Sequence, residues 1–191
     1  FEILSWVSAG EVTARALRDV PAAYRDTPRT DWEFAKRRFW NLGHLEGQDV
    51  ACLADGNVIR DLSVENGSVT IIDPSAVVHI GYPITAQLET LDMSQPQGQT
   101  KARTLAVPRV FLTVEETRSV WIGNNGDGRL VSYAARSSFA GYDKAIPAHT
   151  GLIEVVTNTE WSRTGRIFIQ QTDPLPVTIN CITAEVELGE A

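Results

Sequence analysis

Apolar and polar positions along most of this chain alternate in short runs, each closed by residues that favour turns. The run "DVACLA" stops at Asp55-Gly56, a dipeptide that tolerates positive φ at both positions and so closes a two-residue hairpin. "VIRDLSV" follows and stops at a second such pair, Asn66-Gly67. "SVTII" runs into Asp73-Pro74, and "AVVHIGY" ends at Pro83. In "ITAQLETLDM", Ile84, Ala86 and Leu88 alternate with Thr85, Gln87 and Glu89, the period of a half-buried strand. The polar stretch "DMSQPQGQTKAR" reads as an exposed loop. Strand-like runs then resume as "TLAVPRVFLTVEE", "SVWIG", "RLVSYAA", "GLIEVVT", "GRIFIQQ" and "VTINCITAEVEL", while "SSFAGYDKAIPAHT" reads as irregular and puts His149 in a loop. In the last run Val177, Ile179 and Cys181 share one parity, and Ile182, Ala184, Val186 and Leu188 share the other. A bulge, or a strand that changes sheets, is therefore expected at 181–182.

The first forty residues break this rhythm. "FEILSWV" has strand character, "EVTARALRDV" predicts a short helix ended by Pro21, and "AAYRDTPR" is a loop. "TDWEFAKRRFW" fits a short helix capped by Thr30 or Asp31, in competition with a strand carrying Trp32, Phe34 and Ala35. The fold class that follows is all-β, an antiparallel β-sandwich or barrel-like domain over 42–191, preceded by an N-terminal arm of mixed structure over 1–41.

Composition adjusts this picture in few places. A chain of 191 residues, 43% hydrophobic and 21% charged, can bury a core without metal or disulfide staples. The formal net charge of −7 disfavours a wrapped nucleic-acid complex, which needs a basic footprint. No apolar run approaches the roughly 18 residues of a membrane-spanning helix. Cys52 and Cys181 each sit in an apolar run without a nearby cysteine, so two buried free thiols are expected rather than a zinc site, with a disulfide possible if their strands are neighbours. A start at Phe1 suits a processed product or the C-terminal piece of a longer chain.

Candidate chemistry is sparse. His44 and Glu46 lie two apart and share a face if extended, but a metal would need a third ligand that the sequence does not name. The plainer reading makes Gly43 and Gly47 a bend, leaves Glu46 and Asp49 in solvent, and gives Asp55 to its turn. His79, in "VVHIG", is expected to be a strand residue hydrogen-bonded at a sheet face. "GNNGDG" at 123–128 offers oxygen ligands but lacks the EF-hand spacing and its closing Glu, and no glycine run precedes GK[ST]. No serine sits in a G-x-S-x-G elbow, and nothing singles out a pair of carboxylates for glycoside hydrolysis. No catalytic, cofactor or metal residue is therefore assigned. The five tryptophans remain. Trp6, Trp32 and Trp40, with Phe39, are candidate anchors at a subunit interface, where Trp is enriched. Trp121 and Trp161 are the alternative, as stacking platforms for sugar rings in a carbohydrate-binding module.

Three segments, "LGHLEGQDVACLADG", "GSVTIIDPSAVVHIGYPITAQLETL" and "GRIFIQQTDPLPVTINCITAEVEL", occur in that order. Together they resemble the C-terminal region of a family of structural proteins from the tails of short-tailed bacteriophages, often grouped with nozzle or tail-tube components. The words that carry the resemblance are His44-Leu45-Glu46-Gly47, Ala54-Asp55-Gly56 and Asp173-Pro174-Leu175-Pro176. It runs from about Leu42 to the end, is weak between Val120 and Gly151, and does not extend before Asn41. In that family a smaller apolar residue commonly stands where Cys52 is, and a longer N-terminal part precedes the region. The resemblance implies a virion component assembled in the bacterial host cytoplasm. Its partners would be copies of itself in a ring-shaped homo-oligomer and other tail proteins, with phage DNA passing nearby unbound. No catalytic residue carries over.

Overall fold

A computed structural model describes residues 2–16, 34–93, 104–124, 129–134 and 145–189. The chain divides into two units, Phe1–Ala35 and Lys36–Ala191. The first holds an antiparallel hairpin of β1 (Glu2–Ser8) and β2 (Glu11–Arg15). The helix expected over "EVTARALRDV" is thus a strand where it is described. Its β-branched Val12 and Thr13 suit a pleated backbone, and Val12 lies opposite Trp6. Pro21 and Trp32 lie outside the described residues. Phe34 stacks on Trp6 with ring centroids 5.9 Å apart.

The second unit has two cores. The smaller lobe contains β3 (Lys36–Phe39), β4 (Asp49–Ala54), β5 (Asn57–Ser63), β6 (Val69–Ser75) and β7 (Val78–Gly81). Within "TDWEFAKRRFW", Lys36–Phe39 is a strand, while Phe34 and Ala35, which the competing strand would have carried, lie outside it. The strands form one sheet of order β5-β4-β7 and a pair β3-β6. Alternation along β4 turns Val50, Cys52 and Ala54 inward, where they meet Leu45, Val64, Val69 and Ile71. Both expected hairpin dipeptides adopt the left-handed backbone that their turns demand, with φ of 47° and 80° at Asp55-Gly56 and 51° and 64° at Asn66-Gly67.

The larger lobe is a β-sandwich. It comprises β8 (Ala86–Glu89), β9 (Leu105–Thr117), β10 (Ser119–Gly123), β11 (Val131–Ala134), β12 (His149–Val156), β13 (Phe168–Gln171) and β14 (Thr178–Leu188). One sheet has the order β11-β10-β13-β8 and the other β12-β9-β14, with every pairing antiparallel. Between them pack Val107, Val110, Leu112 and Val114 of β9, Ile153 and Val155 of β12, Val120 and Ile122 of β10, and Ile169 of β13, all buried. Each such side chain stabilises the fold by about 1.5–3 kcal/mol relative to exposure. The β9 strand carries Pro108 although it has a partner on each side. The ladder to β14 shifts register between Glu185 and Glu187, opposite that proline, so the missing N–H falls at an irregularity.

Four expectations change here. The register of β14 shifts between Ile179 and Cys181, so the bulge falls at Asn180, just before the expected position. It switches the parity one residue early. Ile179, Ile182 and Ala184 pack toward the core, and Cys181 turns out to solvent instead of being buried. Both cysteines are free. His149 begins β12 rather than lying in a loop. The alternation of "ITAQLETLDM" does not mark a half-buried strand, because β8 is an edge whose residues are all exposed, Leu88 at 46%.

Two contacts between the lobes stand out among the described residues. Arg60 of β5 forks onto Asp173 of the "TDPLP" segment, and Gly56 sits against Ala145 and Arg118.

Candidate functional site

The strongest polar contact between the lobes is built by an irregular strand. Along the β4–β5 ladder, Val50 pairs with Leu62 but Cys52 pairs with Ile59, so β5 carries one extra residue at Arg60-Asp61. Asp61 takes a φ of 58° there. A bulge of this kind re-aims a side chain. Here it accompanies Arg60 reaching the sandwich, where its Nε and Nη2 donate to the two Asp173 carboxylate oxygens at 2.9 and 2.8 Å. The Asp173 side chain is 7% exposed and that of Arg60 63%, so a buried carboxylate is matched from the solvent side. Around this pair runs a cleft of about 400 Å³, lined among others by Asp49, Leu62, Pro83, Thr172 and Pro174. Its guanidinium is already occupied by Asp173. The lining offers no cysteine, histidine or lysine as nucleophile or base.

The lead-in to β4 is held by its acids. Leu42 to Leu45 make a 3-10 turn, and Glu46 follows it with both carboxylate oxygens turned back to the Asn66-Gly67 hairpin. They accept the Asn66 N–H at 2.8 Å and the Gly67 N–H at 2.6 Å. The Leu42 N–H donates to the Gly67 carbonyl and the Gly47 N–H to that of Val64. Asp55 accepts from the amides of Ala76 and Val77 while holding its own turn. Glu46 is exposed, as expected, and is also a pin between two turns, and Asp55 does more than shape a hairpin.

His44 is exposed in the 3-10 turn and His79 is exposed on β7. His149 is half-buried, with its Nε2 enclosed and without a hydrogen-bond partner among the described residues. No group of three metal-ligating side chains occurs among the described residues, and Asn125 to Gly128 of the "GNNGDG" loop lie outside them. Burial pushes the Cys52 thiol and the Tyr133 phenol above their ordinary pKa ranges. Donation to Asp92 and then to Glu89 raises that of the Arg166 guanidinium.

The aromatic candidates separate by exposure. Trp6 is 58% exposed on β1. Trp40 is 59% exposed, and the Arg38 guanidinium lies 3.9 Å from its ring centroid while donating to Ser68 Oγ. Phe39 turns the other way and packs on the core of the small lobe. Trp121, on β10 between β11 and β13, is half-buried with its indole N–H enclosed and unpaired among the described residues. Trp161 is 55% exposed beside Gly189, where an added Cβ would come within 3.4 Å of its ring. Sequence reasoning missed the Arg60–Asp173 pair, whose members lie 113 positions apart. The only signal near it was the Asp173-Pro174-Leu175-Pro176 word.

Compared with known proteins, the chain matches no family model, and no curated protein matches it either.

Proposed function

We propose that this chain is a structural subunit of a bacteriophage tail, a nozzle, tail-tube or hub component that works through contacts with copies of itself and with other tail proteins in a ring. The reading rests on the sequence words that resemble such proteins. The structural observation that carries it is the N-terminal hairpin. Ile3, Leu4, Trp6 and Val7 are 45%, 59%, 58% and 56% exposed, on both parities of β1. A two-stranded hairpin is marginal by itself, and contiguous exposed apolar side chains of this kind mark a contact surface. Cyclic assembly would give that surface the same neighbour on every subunit. A net charge of −7 suits a component beside DNA that must not bind it. The role asks for no cofactor and no reaction.

The test is the solution mass of the protein by light scattering, alone and mixed with other tail proteins. A discrete multimer, or one that forms only with those partners, is expected. Leu4→Ser with Trp6→Ala should return it to smaller species. A monomer that ignores every tail protein would sink the reading. A carbohydrate-binding role has one observation in its favour, the exposure of Trp161. Polysaccharide binding lost in Trp161→Ala would establish it.

A further inference from the structure

We propose that Asn66-Gly67 is a latent deamidation site and that the Glu46 carboxylate holds it closed. In an Asn-Gly pair the backbone nitrogen of the glycine can attack the carboxamide carbon of the asparagine. The new N–C bond closes a five-membered imide as the bond from that carbon to the amide nitrogen breaks and ammonia leaves. Water then opens the imide to aspartate or to the isoaspartyl linkage, so water is the only co-reactant. Glycine in the second position leaves the approach sterically open, since it has no Cβ. Asn66 is exposed, so water and hydroxide reach it.

Two things must happen first. The Gly67 nitrogen must give up its proton, and the peptide must turn so that this nitrogen faces the Asn66 carboxamide. The structure opposes both. The Gly67 N–H donates to one Glu46 oxygen at 2.6 Å, and the Asn66 N–H donates to the other at 2.8 Å. A carboxylate against an amide N–H favours the protonated amide, because the amide anion would face a like charge. A carboxylate is also far too weak a base to remove that proton itself. Rotation is resisted from several sides. Glu65 and Ser68 bond reciprocally across the turn, Leu42 N–H holds the Gly67 carbonyl, and both turn residues sit in the left-handed region. Either product would be unwelcome there. Aspartate at 66 would set a second negative charge near Glu46, and an isoaspartyl link would lengthen the two-residue turn by one backbone carbon.

The experiment is peptide mapping by mass spectrometry after incubation at mildly alkaline pH. It follows Asn66 and Asn125 separately in the folded protein, in the urea-unfolded protein, and in Glu46 variants. In the folded protein Asn66 should deamidate far more slowly than in urea. Glu46→Ala should raise its rate by at least about tenfold, the scale of one charge-assisted hydrogen bond. Asn125 should not respond. Glu46→Gln, which keeps an acceptor and loses the charge, should fall between. Leu45→Ala loosens the same lobe from its core side, and at matched melting temperature it should stay slower than Glu46→Ala. Equal rates in those two variants would reduce the effect to loosening and overturn the proposal. So would an Asn66 rate that is the same folded and unfolded, or one that Glu46→Ala leaves unchanged or lowers.

Discussion

Cys52 and Cys181 show how far one residue's surroundings can diverge from its neighbours in sequence. Cys52 is fully buried on the inner face of β4, while the Asn180 bulge turns Cys181 outward. A thiol reagent should therefore titrate one cysteine in the native protein and both after unfolding, with Cys181→Ser abolishing the fast reaction. Burial also raises the Cys52 pKa. The unfolded thiol ionises from about pH 8.5 upward while the folded one stays protonated. Its contribution to stability is thus complete below that pH and is lost as pH rises through the raised value. Urea midpoints should fall more steeply between mildly and strongly alkaline pH for the native protein than for Cys52→Ala. The same slope in both would refute this. The apolar run around Cys181 gave no warning of its exposure. Parity placed it with Ile179 and put the bulge at 181–182, and the position of the extra residue at Asn180 is legible only once β9 is known to be the ruler.

Among the elements, the hairpins were the most readable, since Asp55-Gly56 and Asn66-Gly67 need positive φ and almost nothing else satisfies it at both positions. The β8 strand was misread for the opposite reason. Period-2 alternation reports a strand but not its place in a sheet, and at an edge the apolar set can remain uncovered. The N-terminal "EVTARALRDV" misled because its Ala and Arg residues favour helix, while the cross-strand partner that decides the matter, Trp6 opposite Val12, lies outside any local window. The bulge in β14 yields a sharp prediction. Asn180→Ala should be tolerated, within about 0.5 kcal/mol. Deleting Asn180 should leave a regular ladder with Ile179, Ile182 and Ala184 all still facing the core. Inserting one residue after Cys181 should instead turn Ile182 and Ala184 toward solvent, or Ile179 if the other half slips, because one added residue reverses every side chain beyond it. Circular dichroism melts would register the difference, and an insertion as stable as the deletion would refute this assignment of the bulge.

At the scale of the molecule, the second unit is two cores joined by sparse contacts. Arg60–Asp173 is the best-formed polar link, with its carboxylate buried. Removing the guanidinium leaves that carboxylate unmatched, and the loss should be about 1–3 kcal/mol, less than for a fully buried pair because Arg60 is largely in solvent. Calorimetry of Arg60→Ala should show the single transition broadening or splitting as the lobes uncouple. Changing both partners to leucine should recover much of the loss. An Arg60→Ala transition unchanged in position and width would mean the lobes are held elsewhere. Nothing in the sequence announced the link. Arginine and aspartate are common surface residues, and only the folded path brings these two together.

The same clasp also orders events in time. Within the small lobe β4 and β5 close through a two-residue turn at little cost in conformational entropy, while β4–β7 and β3–β6 join strands farther apart in the chain. The sandwich must bring β14 back to β9 and β13 back to β8 across long loops, which is slow. Asp173 lies between β13 and β14, far downstream of Arg60 in the order of synthesis. Arg60 is therefore made well before its partner, and the clasp between the lobes closes only once the segment between β13 and β14 is in place.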